Sequence, residues 1–309
     1  MRIIFFGSPE FALPSLKLLT LRHDVAMVVT QPDKPKGRGR KLSATPVKEY
    51  CVEKNIPYIS PKAVKTGSFA EKLKAVRADY GVVVAYGRIL TEQVLEIPRF
   101  GCINLHPSLL PMYRGPAPVN HTLIQGDTIS GVTVMQMNKN MDEGDIIVQQ
   151  KYNISDFKSA GDLLGFFSDK GARLLCDVID KEESLKKLMD RVPQDHSGAT
   201  YAPMLNTDTA HIDWRQKADK VSGLIKGLDP RPGAWTMYNG FRIKLFHSEP
   251  REFSCQAGEI IGFDGEGLLV GCGEGSVCIN EVQLPGKTRM SFKAAISGNQ
   301  FTVGTFMEV

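Results

Sequence analysis

Two polar residues at the end of an apolar stretch, Asn104 and His106, are the side chains in this chain best suited to chemistry. The stretch from Gly101 is typical of a short strand that leads into a Pro-rich turn. Because strand side chains alternate between faces, Asn104 and His106 point the same way, and Leu105 points to the other face. An amide donor beside an imidazole suits stabilisation of a developing oxyanion and movement of a proton. Taken alone, the pair also fits a buried Asn and His that shape a turn.

An acidic loop between two apolar segments offers a third group, Asp142. Taken alone, such a loop is typical of a solvated turn. As a partner of His106, the Asp142 carboxylate would orient the imidazole. With Asn104, these groups suit acyl transfer by direct attack of an amine, the surplus proton leaving through a water held by His106 and Asp142. A covalent route is disfavoured, because no G-x-S-x-G elbow surrounds Ser108 and nothing marks Cys102 as an activated thiolate.

A basic segment follows the second predicted strand. It contains Lys34, Lys36, Arg38, Arg40 and Lys41 together with two glycines. A run of charges is usually a solvated loop, but Arg and Lys are also the residues that bind phosphates, and glycines let a loop conform to a ligand. On the same rim as a catalytic Asn and His, this segment predicts a polyanionic substrate. RNA, a nucleotide and a sugar diphosphate all remain open at this point.

The first half of the chain alternates strands with helices, which predicts an α/β fold with a Rossmann-like, doubly wound and mostly parallel sheet. Ser8, Pro9 and Glu10 are predicted to start a first helix that runs to about Leu19, with Ser8 as its N-cap. Strands are expected near 2–6, 25–30, 56–58, 80–85, 102–105, 132–137 and 145–151, and the later helices near 47–54, 69–76, 118–125 and 160–179.

Ligands of such sheets bind beyond the carboxyl ends of the strands. This rule places the loop at Tyr86, the pair Asn104 and His106, and the loop at Asp142 along one rim. The turn after the first strand begins at Gly7 but lacks the G-x-G-x-x-G pattern that lets a backbone approach a pyrophosphate. We therefore expect no dinucleotide cofactor.

The pattern changes after about residue 185. Residues 188–206 are mostly polar and lack strong periodicity, as in a linker. A helix near 218–227 then precedes five short strands with close glycines, which predicts a smaller C-terminal β-barrel domain of the OB type. The expected organisation is a catalytic domain over 1–187, a linker over 188–206 and an OB-like domain over 207–309.

Bulk composition is ordinary for a globular protein, with 42% hydrophobic and 23% charged residues and a formal charge of +4. The mild positive charge permits an anionic partner without demanding one. The apolar start is too short for a signal peptide, and no apolar run approaches the roughly 20 residues that cross a bilayer. The six cysteines are scattered without zinc-site spacing. These features predict a cytoplasmic protein with reduced thiols, no structural metal and no membrane contact.

Several motifs follow one another along the chain. They are Phe6-Gly-Ser-Pro-Glu-Phe-Ala12, Thr30-Gln-Pro-Asp33, Gly37-Arg-Gly39, Pro46-Val-Lys48, Val83-Val-Ala-Tyr-Gly87, Asn104-x-His106-x-Ser108-Leu-Leu-Pro111, Arg114-Gly115, Gly131-Val-Thr133, Met135-Gln-Met137, Asp142-x-Gly144-Asp145, Thr200-Tyr-Ala202 and Ile212-Asp-Trp214. With these motifs the chain resembles the methionyl-tRNA formyltransferases over nearly its whole length. The Asn-x-His and Ser-Leu-Leu-Pro pair marks the wider group that uses 10-formyltetrahydrofolate, and the basic Gly-Arg-Gly loop is characteristic of the tRNA enzymes.

The resemblance implies transfer of a formyl group from 10-formyltetrahydrofolate to the α-amino group of methionine on initiator methionyl-tRNA, by a cytoplasmic monomer without a metal. Asn104, His106 and Asp142 match the family's catalytic positions. Arg38 matches the loop arginine that engages the acceptor stem, and Lys36, Arg40 and Lys41 are assigned to the tRNA with it. The residues implied to contact the folate donor are Ser108, Leu109, Leu110 and Pro111, together with the loop of Tyr86, Gly87, Arg88, Ile89 and Leu90.

Two other functions compete with this one. A sugar-nucleotide N-formyltransferase would share Asn104, His106 and Asp142 and the same donor, but it would not need the basic segment from Lys34 to Lys41. A non-catalytic RNA-binding protein with an OB module would require all three polar residues to be structural. Their coincidence at matching positions disfavours that interpretation.

Overall fold

The computed structural model describes residues 1–36, 41–253, 255–265, 267–296 and 301–308, and for Lys36 and Lys41 it describes the backbone alone. The chain forms two compact units, which are described separately below. The first contains Met1–Pro116, Gly131–Tyr152 and Leu164–Tyr201, and the second contains Ala117–Ser130, Asn153–Leu163 and Ala202–Val309. The predicted domain limits at 187 and 206 stay a prediction.

Strands and helices alternate through the first half of the chain, as the sequence predicts. In chain order the elements are β1 (Arg2–Gly7), α1 (Leu13–Arg22), β2 (Asp24–Val29), β3 (Lys34–Lys36), β4 (Lys41–Ser43), α2 (Pro46–Lys54), β5 (Tyr58–Ile59), α3 (Gly67–Val76), β6 (Tyr80–Val84), α4 (Glu92–Leu95), β7 (Cys102–His106), α5 (Pro118–Gln125), β8 (Ile129–Gln136), β9 (Ile146–Asn153) and α6 (Ala160–Leu185). Seven of the strands form one sheet in the order β5-β2-β1-β6-β7-β8-β9, while β3 and β4 pair only with each other.

The sheet is parallel from β5 through β7, and β8 runs antiparallel to β7. This confirms the predicted α/β class with a mostly parallel sheet. Every residue of β6 and β7 is buried, which is typical of parallel strands covered on both faces. Asn104 lies beside Val83 in this ladder, so the ends of β6 and β7 reach the same edge of the sheet.

The predicted start of the first helix is wrong. A single 3-10 turn over Glu10–Ala12 precedes α1, and neither helix has a side-chain N-cap. The hydroxyl of Ser8 is buried and used elsewhere, because it accepts from the backbone N–H of Gln31 at 3.2 Å and donates to the carbonyl of Tyr86 at 3.3 Å. It therefore ties the ends of β1, β2 and β6 together at the edge where ligands are expected.

Helix α6 extends beyond its expected end near 179 and stops at Leu185. Two acids in its last turns have partners, and these favour the longer helix. The buried carboxylate of Glu182 accepts from the Arg191 guanidinium at 2.6 Å, and Glu183 pairs with the amino group of Met1 at 2.5 Å. Within the described residues, no helix combines the length and the apolar character needed to cross a bilayer.

The second unit contains the antiparallel β domain that the sequence predicts, together with α5, which the sequence analysis placed in the catalytic domain. Its later elements are α7 (Ala218–Leu228), β10 (Ala234–Tyr238), β11 (Phe241–Arg251), β12 (Ile260–Asp264), β13 (Gly267–Gly271), β14 (Ser276–Gln283), β15 (Met290–Ser291) and α8 (Phe292–Ile296). The sheet order is β10-β11-β14-β13-β12, with β15 beside β14. Trp214 is fully buried in its core and donates from its indole nitrogen to the Thr236 hydroxyl at 3.1 Å.

Candidate active site

Strand β7 presents Asn104 and His106 on one face, and both residues are less than a tenth exposed. Leu105 packs on the other face, where a Cβ atom added at Gly171 of α6 would lie only 2.7 Å from both of its Cδ atoms. Helix α6 therefore packs closely against β7 at Leu105, on the face opposite the two polar residues. Among the described residues the Asn104 carboxamide has no hydrogen-bond partner, so its N–H groups are free for a ligand.

The two imidazole nitrogens of His106 have different neighbours, a backbone carbonyl at Nε2 and the Asp142 carboxylate near Nδ1. Its Nε2 lies 3.0 Å from the carbonyl oxygen of Tyr113. Because a carbonyl only accepts, Nε2 carries a proton, and Nδ1 is the acceptor of the neutral ring. Nδ1 lies 3.8 Å from Oδ2 of Asp142, which is too long for a direct hydrogen bond.

Asp142 reaches His106 by a route that the sequence did not predict. Because β8 is antiparallel, the loop 137–145 begins beside Cys102, where the N–H of Met137 donates to the Cys102 carbonyl at 2.8 Å. The loop then returns to the other end of β7. Asp142 has a left-handed backbone with φ of 55°, and its Oδ2 accepts from the backbone N–H of Gly115 at 2.9 Å.

Two residues with no predicted role hold this loop, Arg114 and Gln194. The amide of Gln194 donates to the carbonyls of Asp142 and Gly144 at 2.9 and 2.7 Å. Arg114 donates to the Gln194 oxygen at 2.8 and 3.2 Å and to the Glu143 carboxylate at 3.1 Å. Arg114 lies in the Arg114-Gly115 motif, for which the sequence predicts no role. Gln194 lies in the stretch predicted as a linker, where no periodicity marked it.

The segment predicted to contact the folate forms a rigid turn. The Ser108 hydroxyl donates to the Met112 carbonyl at 2.6 Å, and the Thr133 hydroxyl donates to the Ser108 carbonyl at 2.7 Å. Ser108, Leu109 and Leu110 are buried, whereas Pro111 is half-buried. The backbone of the turn is held as firmly as the Ser108 hydroxyl, because the carbonyls of Leu109, Leu110 and Pro111 also accept hydrogen bonds within the protein.

The second predicted folate segment follows β6 with mixed exposure. Tyr86 and Leu90 are buried, while the Ile89 side chain is 68% exposed. Gly87 has φ of 75°, a conformation that favours glycine. The guanidinium of Arg88 is used structurally, because it donates to the backbone carbonyls of residues 61 and 62 at 3.1 and 2.9 Å.

Tyr86 carries the least satisfied polar atom of this segment. Its hydroxyl is buried and has no hydrogen-bond partner among the described residues. Burial raises the pKa of this hydroxyl above its ordinary value, so it stays protonated and able to donate. Its backbone carbonyl, in contrast, accepts from the Gln31 amide at 2.7 Å.

The predicted tRNA-binding segment is described only in part. Strands β3 and β4 pair antiparallel, with Lys36 opposite Lys41. Arg38 and Arg40 lie outside the described residues, as do the side chains of Lys36 and Lys41. At the base of the hairpin, Lys34 donates to the Gln31 side chain at 2.5 Å, and Lys48 donates to both oxygens of Asp33 at 2.7 and 2.8 Å.

Cys102, two residues before Asn104, has no features of a nucleophile. It is fully buried, and burial raises the pKa of its thiol to about 12. The reactive form of cysteine is the thiolate, so this thiol is inert near neutral pH. With the Ser108 hydroxyl tied to the turn, neither nearby candidate supports a covalent route.

Comparison with known proteins places this arrangement in a family. The model of the formyl transferase family matches residues 1–179, and the model of the formyl transferase C-terminal domain matches residues 204–300. The chain belongs to the formyl transferase family. It is therefore a formyl-transferring enzyme, as the motifs predicted.

Relatives of known sequence and structure extend the comparison. A methionyl-tRNA formyltransferase of Acetivibrio thermocellus is 42% identical over 308 residues, which cover 98% of each chain. The fold is similar to that of WlaRD, a sugar 3N-formyl transferase solved with dTDP and 5-N-formyl-THF, with a TM-score of 0.68 and 16% identity over 93% of this chain and 99% of that one. HypX from Aquifex aeolicus in complex with tetrahydrofolic acid gives a TM-score of 0.66 and 18% identity over 100% of this chain and 51% of its own.

Proposed function

We propose that this enzyme transfers the formyl group of 10-formyltetrahydrofolate to the α-amino group of methionine on initiator methionyl-tRNA. The observation that carries the proposal is the 42% identity to a methionyl-tRNA formyltransferase along essentially the whole of both chains. Relatives of that similarity and coverage include several further methionyl-tRNA formyltransferases. We place this reaction in the cytoplasm, where charged initiator tRNA is used.

The donor class is supported by groups at the carboxyl end of the sheet. The protonated Tyr86 hydroxyl is buried without a partner among the described residues and can donate to a polar ligand. The Asn104 carboxamide, at the end of the neighbouring strand, is a second donor. The turn from Ser108 to Pro111 is held in place by its own hydrogen bonds and presents a fixed surface to the ligand. When bound, the folate supplies a formyl group on a nitrogen atom, and the protein supplies position, hydrogen bonds and proton transfer.

We propose the following roles for the three polar residues. The Asn104 amide donates to the formyl oxygen, which becomes negative as the amine attacks the formyl carbon. Nδ1 of His106 takes the surplus proton of the amine, directly or through a water shared with Asp142. The ring is then positively charged, can also donate to the oxyanion, and lies close to the Asp142 carboxylate, which offsets that charge.

The proposed step balances without a covalent enzyme adduct. The bond from the methionine nitrogen to the formyl carbon forms, and the bond from that carbon to the folate nitrogen breaks. The amine loses one proton to Nδ1 of His106, and the same nitrogen passes a proton to the folate nitrogen as it leaves, so that His106 returns to its starting form. Because Nε2 of His106 stays on the Tyr113 carbonyl, the ring cycles its proton at Nδ1 without turning over.

The basic segment is the part of the proposal that concerns RNA. Lys36, Arg38, Arg40 and Lys41 would neutralise phosphates near the acceptor end of the tRNA, with Arg38 as the main contact. The ion pair of Lys48 with Asp33 supports the hairpin at its base. The segment would thus direct the aminoacyl end toward the carboxyl ends of the strands.

A direct assay tests the proposal against its nearest rival. The enzyme is given 10-formyltetrahydrofolate with methionyl initiator tRNA and, in parallel, with a nucleotide-linked amino sugar. Formylation of the tRNA alone is the expected result, and formylation of the sugar alone would overturn the substrate assignment. In the same assay, His106→Ala and Asp142→Ala are each expected to abolish turnover while tRNA binding and folding persist. Near-normal turnover in either variant would refute the assigned roles.

A further inference from the structure

Two buried side chains outside the proposed catalytic set control the loop that carries Asp142. Arg114 is 1% exposed and Gln194 is 5% exposed. They come from distant parts of the chain, one from the turn after β7 and the other from the stretch after α6. Burying a guanidinium and an amide is costly unless their hydrogen bonds are made. Here they are made to each other and to residues 142–144, and Arg114 also contacts Nδ1 of His196 at 3.3 Å.

The chemistry of arginine fixes how Gln194 is oriented. A guanidinium only donates, so the side-chain oxygen of Gln194 must face Arg114. The amide NH2 of Gln194 therefore faces the other way, toward the two carbonyls of the loop. A flipped amide would place N–H against N–H on one side and oxygen against oxygen on the other. Arg114 thus fixes the orientation of the Gln194 amide so that its NH2 group donates to the loop.

The loop has little freedom to adopt another path. At Gly144, an added Cβ would lie 1.7 Å from the carbonyl oxygen of Gln136, so the backbone runs directly against β8. Gln194 then holds the carbonyls on both sides of Glu143, whose carboxylate accepts from Arg114. On the opposite side of the loop, the Asp142 carboxylate meets the N–H of Gly115. Backbone and side chain of Asp142 are therefore fixed from two directions.

We infer that Gln194, oriented by Arg114, is a positioning residue that sets the place of the Asp142 carboxylate relative to Nδ1 of His106. The 3.8 Å interval between these groups is the quantity that Gln194 controls. The inference rests on the proposed role of Asp142 in proton transfer. It assigns no contact between Gln194 and either substrate.

The test replaces the Gln194 amide with an apolar side chain of similar length. Gln194→Met removes both hydrogen bonds to the loop, and kcat is expected to fall about 10- to 100-fold, because misplacement of a catalytic group by about 1 Å costs about 100-fold. KM for the folate and for the tRNA should stay unchanged. Gln194→Glu is the second variant, since it keeps the size and the partner Arg114 but places an oxygen against the two carbonyls.

Gln136 provides a matched control. Its amide also donates to two backbone carbonyls, those of Phe100 and Cys102 at 3.2 and 3.1 Å, but it does not contact Asp142. Gln136→Met therefore removes two amide-to-carbonyl hydrogen bonds from the same unit, together with a 3.4 Å contact of its oxygen with Arg191. Its stability loss should be no larger than that of Gln194→Met, which also removes two hydrogen bonds from the buried Arg114, while its kcat should remain near that of the unaltered enzyme.

A second readout follows the carboxylate without turnover. The backbone N–H of Gly115 is protected by Asp142, so its hydrogen exchange should accelerate in Gln194→Met and stay slow in Gln136→Met. In an Asp142→Asn background, Gln194→Met should cause little further loss of residual activity.

The outcomes separate this inference from the proposed function. If Asp142→Ala is nearly inactive but Gln194→Met and Gln194→Glu both match Gln136→Met in kcat and in Gly115 exchange, the positioning role is overturned and the proposed function stands. If Asp142→Ala itself retains turnover, the proposed role of Asp142 fails first.

Discussion

The contact between Gly171 of α6 and Leu105 of β7 allows a quantitative test of how rigidly the strand that carries Asn104 and His106 is held. A Cβ atom at position 171 would lie 2.7 Å from both Cδ atoms of Leu105, about 0.7 Å inside the ordinary contact distance of 3.4 Å. Leu105 is 2% exposed and stands between Asn104 and His106. In Gly171→Ala, the helix and the strand must therefore move apart or Leu105 must repack.

Two opposing terms set the expected size of the effect. Replacing a helical glycine by alanine stabilises a helix by about 1 kcal/mol, whereas overpacking a filled core costs about 1–3 kcal/mol. Gly171→Ala should therefore range from neutral to about 2 kcal/mol less stable. Gly165 of the same helix has open space around an added Cβ, so Gly165→Ala should gain the full 1 kcal/mol or so. The two variants should differ by about 1–3 kcal/mol in unfolding free energy.

Calorimetry and turnover together provide the assay. At roughly 2–4 °C per kcal/mol for a unit of this size, Gly165→Ala should melt above the unaltered enzyme and Gly171→Ala at or below it. Displacement of β7 by several tenths of an ångström should also lower kcat of Gly171→Ala about tenfold or more. Leu105→Val in the Gly171→Ala background removes part of the clash and should restore some of both losses, as a double-mutant cycle would show.

One result would refute this reasoning. If Gly171→Ala raised the melting temperature as much as Gly165→Ala and kept full turnover, Leu105 would have room to move without disturbing its neighbours. The contact with α6 would then be incidental to the geometry of Asn104 and His106.

Three further predictions concern other parts of the chain. Arg289→Met should lower the unfolding free energy by about 3 kcal/mol in urea denaturation, because the buried Asp229 loses a bidentate partner at 2.7 and 3.0 Å; adding Asp229→Asn should recover part of the loss. Burial and the nearby Met1 amino group lower the pKa of His23 below its ordinary 6.5, so protonation favours the unfolded chain. The unfolding free energy should therefore fall as pH drops from 6.5 through the lower pKa of the folded state, and thermal melts of His23→Gln should lose that pH dependence. Arg38→Ala should weaken tRNA binding and reduce the slope of log affinity against log salt by about 1, whereas an unchanged slope would argue against a phosphate contact.

Local signals in the sequence predicted the framework well. The buried run of β6, the proline at the start of α5 and the left-handed Gly126 at its end are all short-range features, and these elements lie close to where the sequence placed them. The N-cap assigned to Ser8 is wrong for a physical reason: its hydroxyl serves Gln31 and Tyr86, which are distant in the chain. Capping propensity depends only on residues close in sequence, so it does not predict such distant partners.

The candidate site could be predicted only in part for the same reason. The spacing of Asn104 and His106 follows from the period of a strand, and the structure places Asp142 near His106. The return path of loop 137–145 depends on β8 being antiparallel, which the alternation of elements did not reveal. Gln194 acts through backbone carbonyls far away in sequence, so no periodic pattern marks it. The catalytic, folate and tRNA roles of the predicted residues stay predictions until they are assayed.

The β3–β4 hairpin can change in sequence independently of the main sheet. Its two strands pair only with each other, so lengthening, shortening or replacing the segment between them shifts no register in the sheet that carries Asn104 and His106. Insertions are best tolerated where the flanking ladder is independent of the core. If the segment binds the acceptor as proposed, exchanging the hairpin between formyl transferases should alter acceptor preference while the residues of β7 stay unchanged.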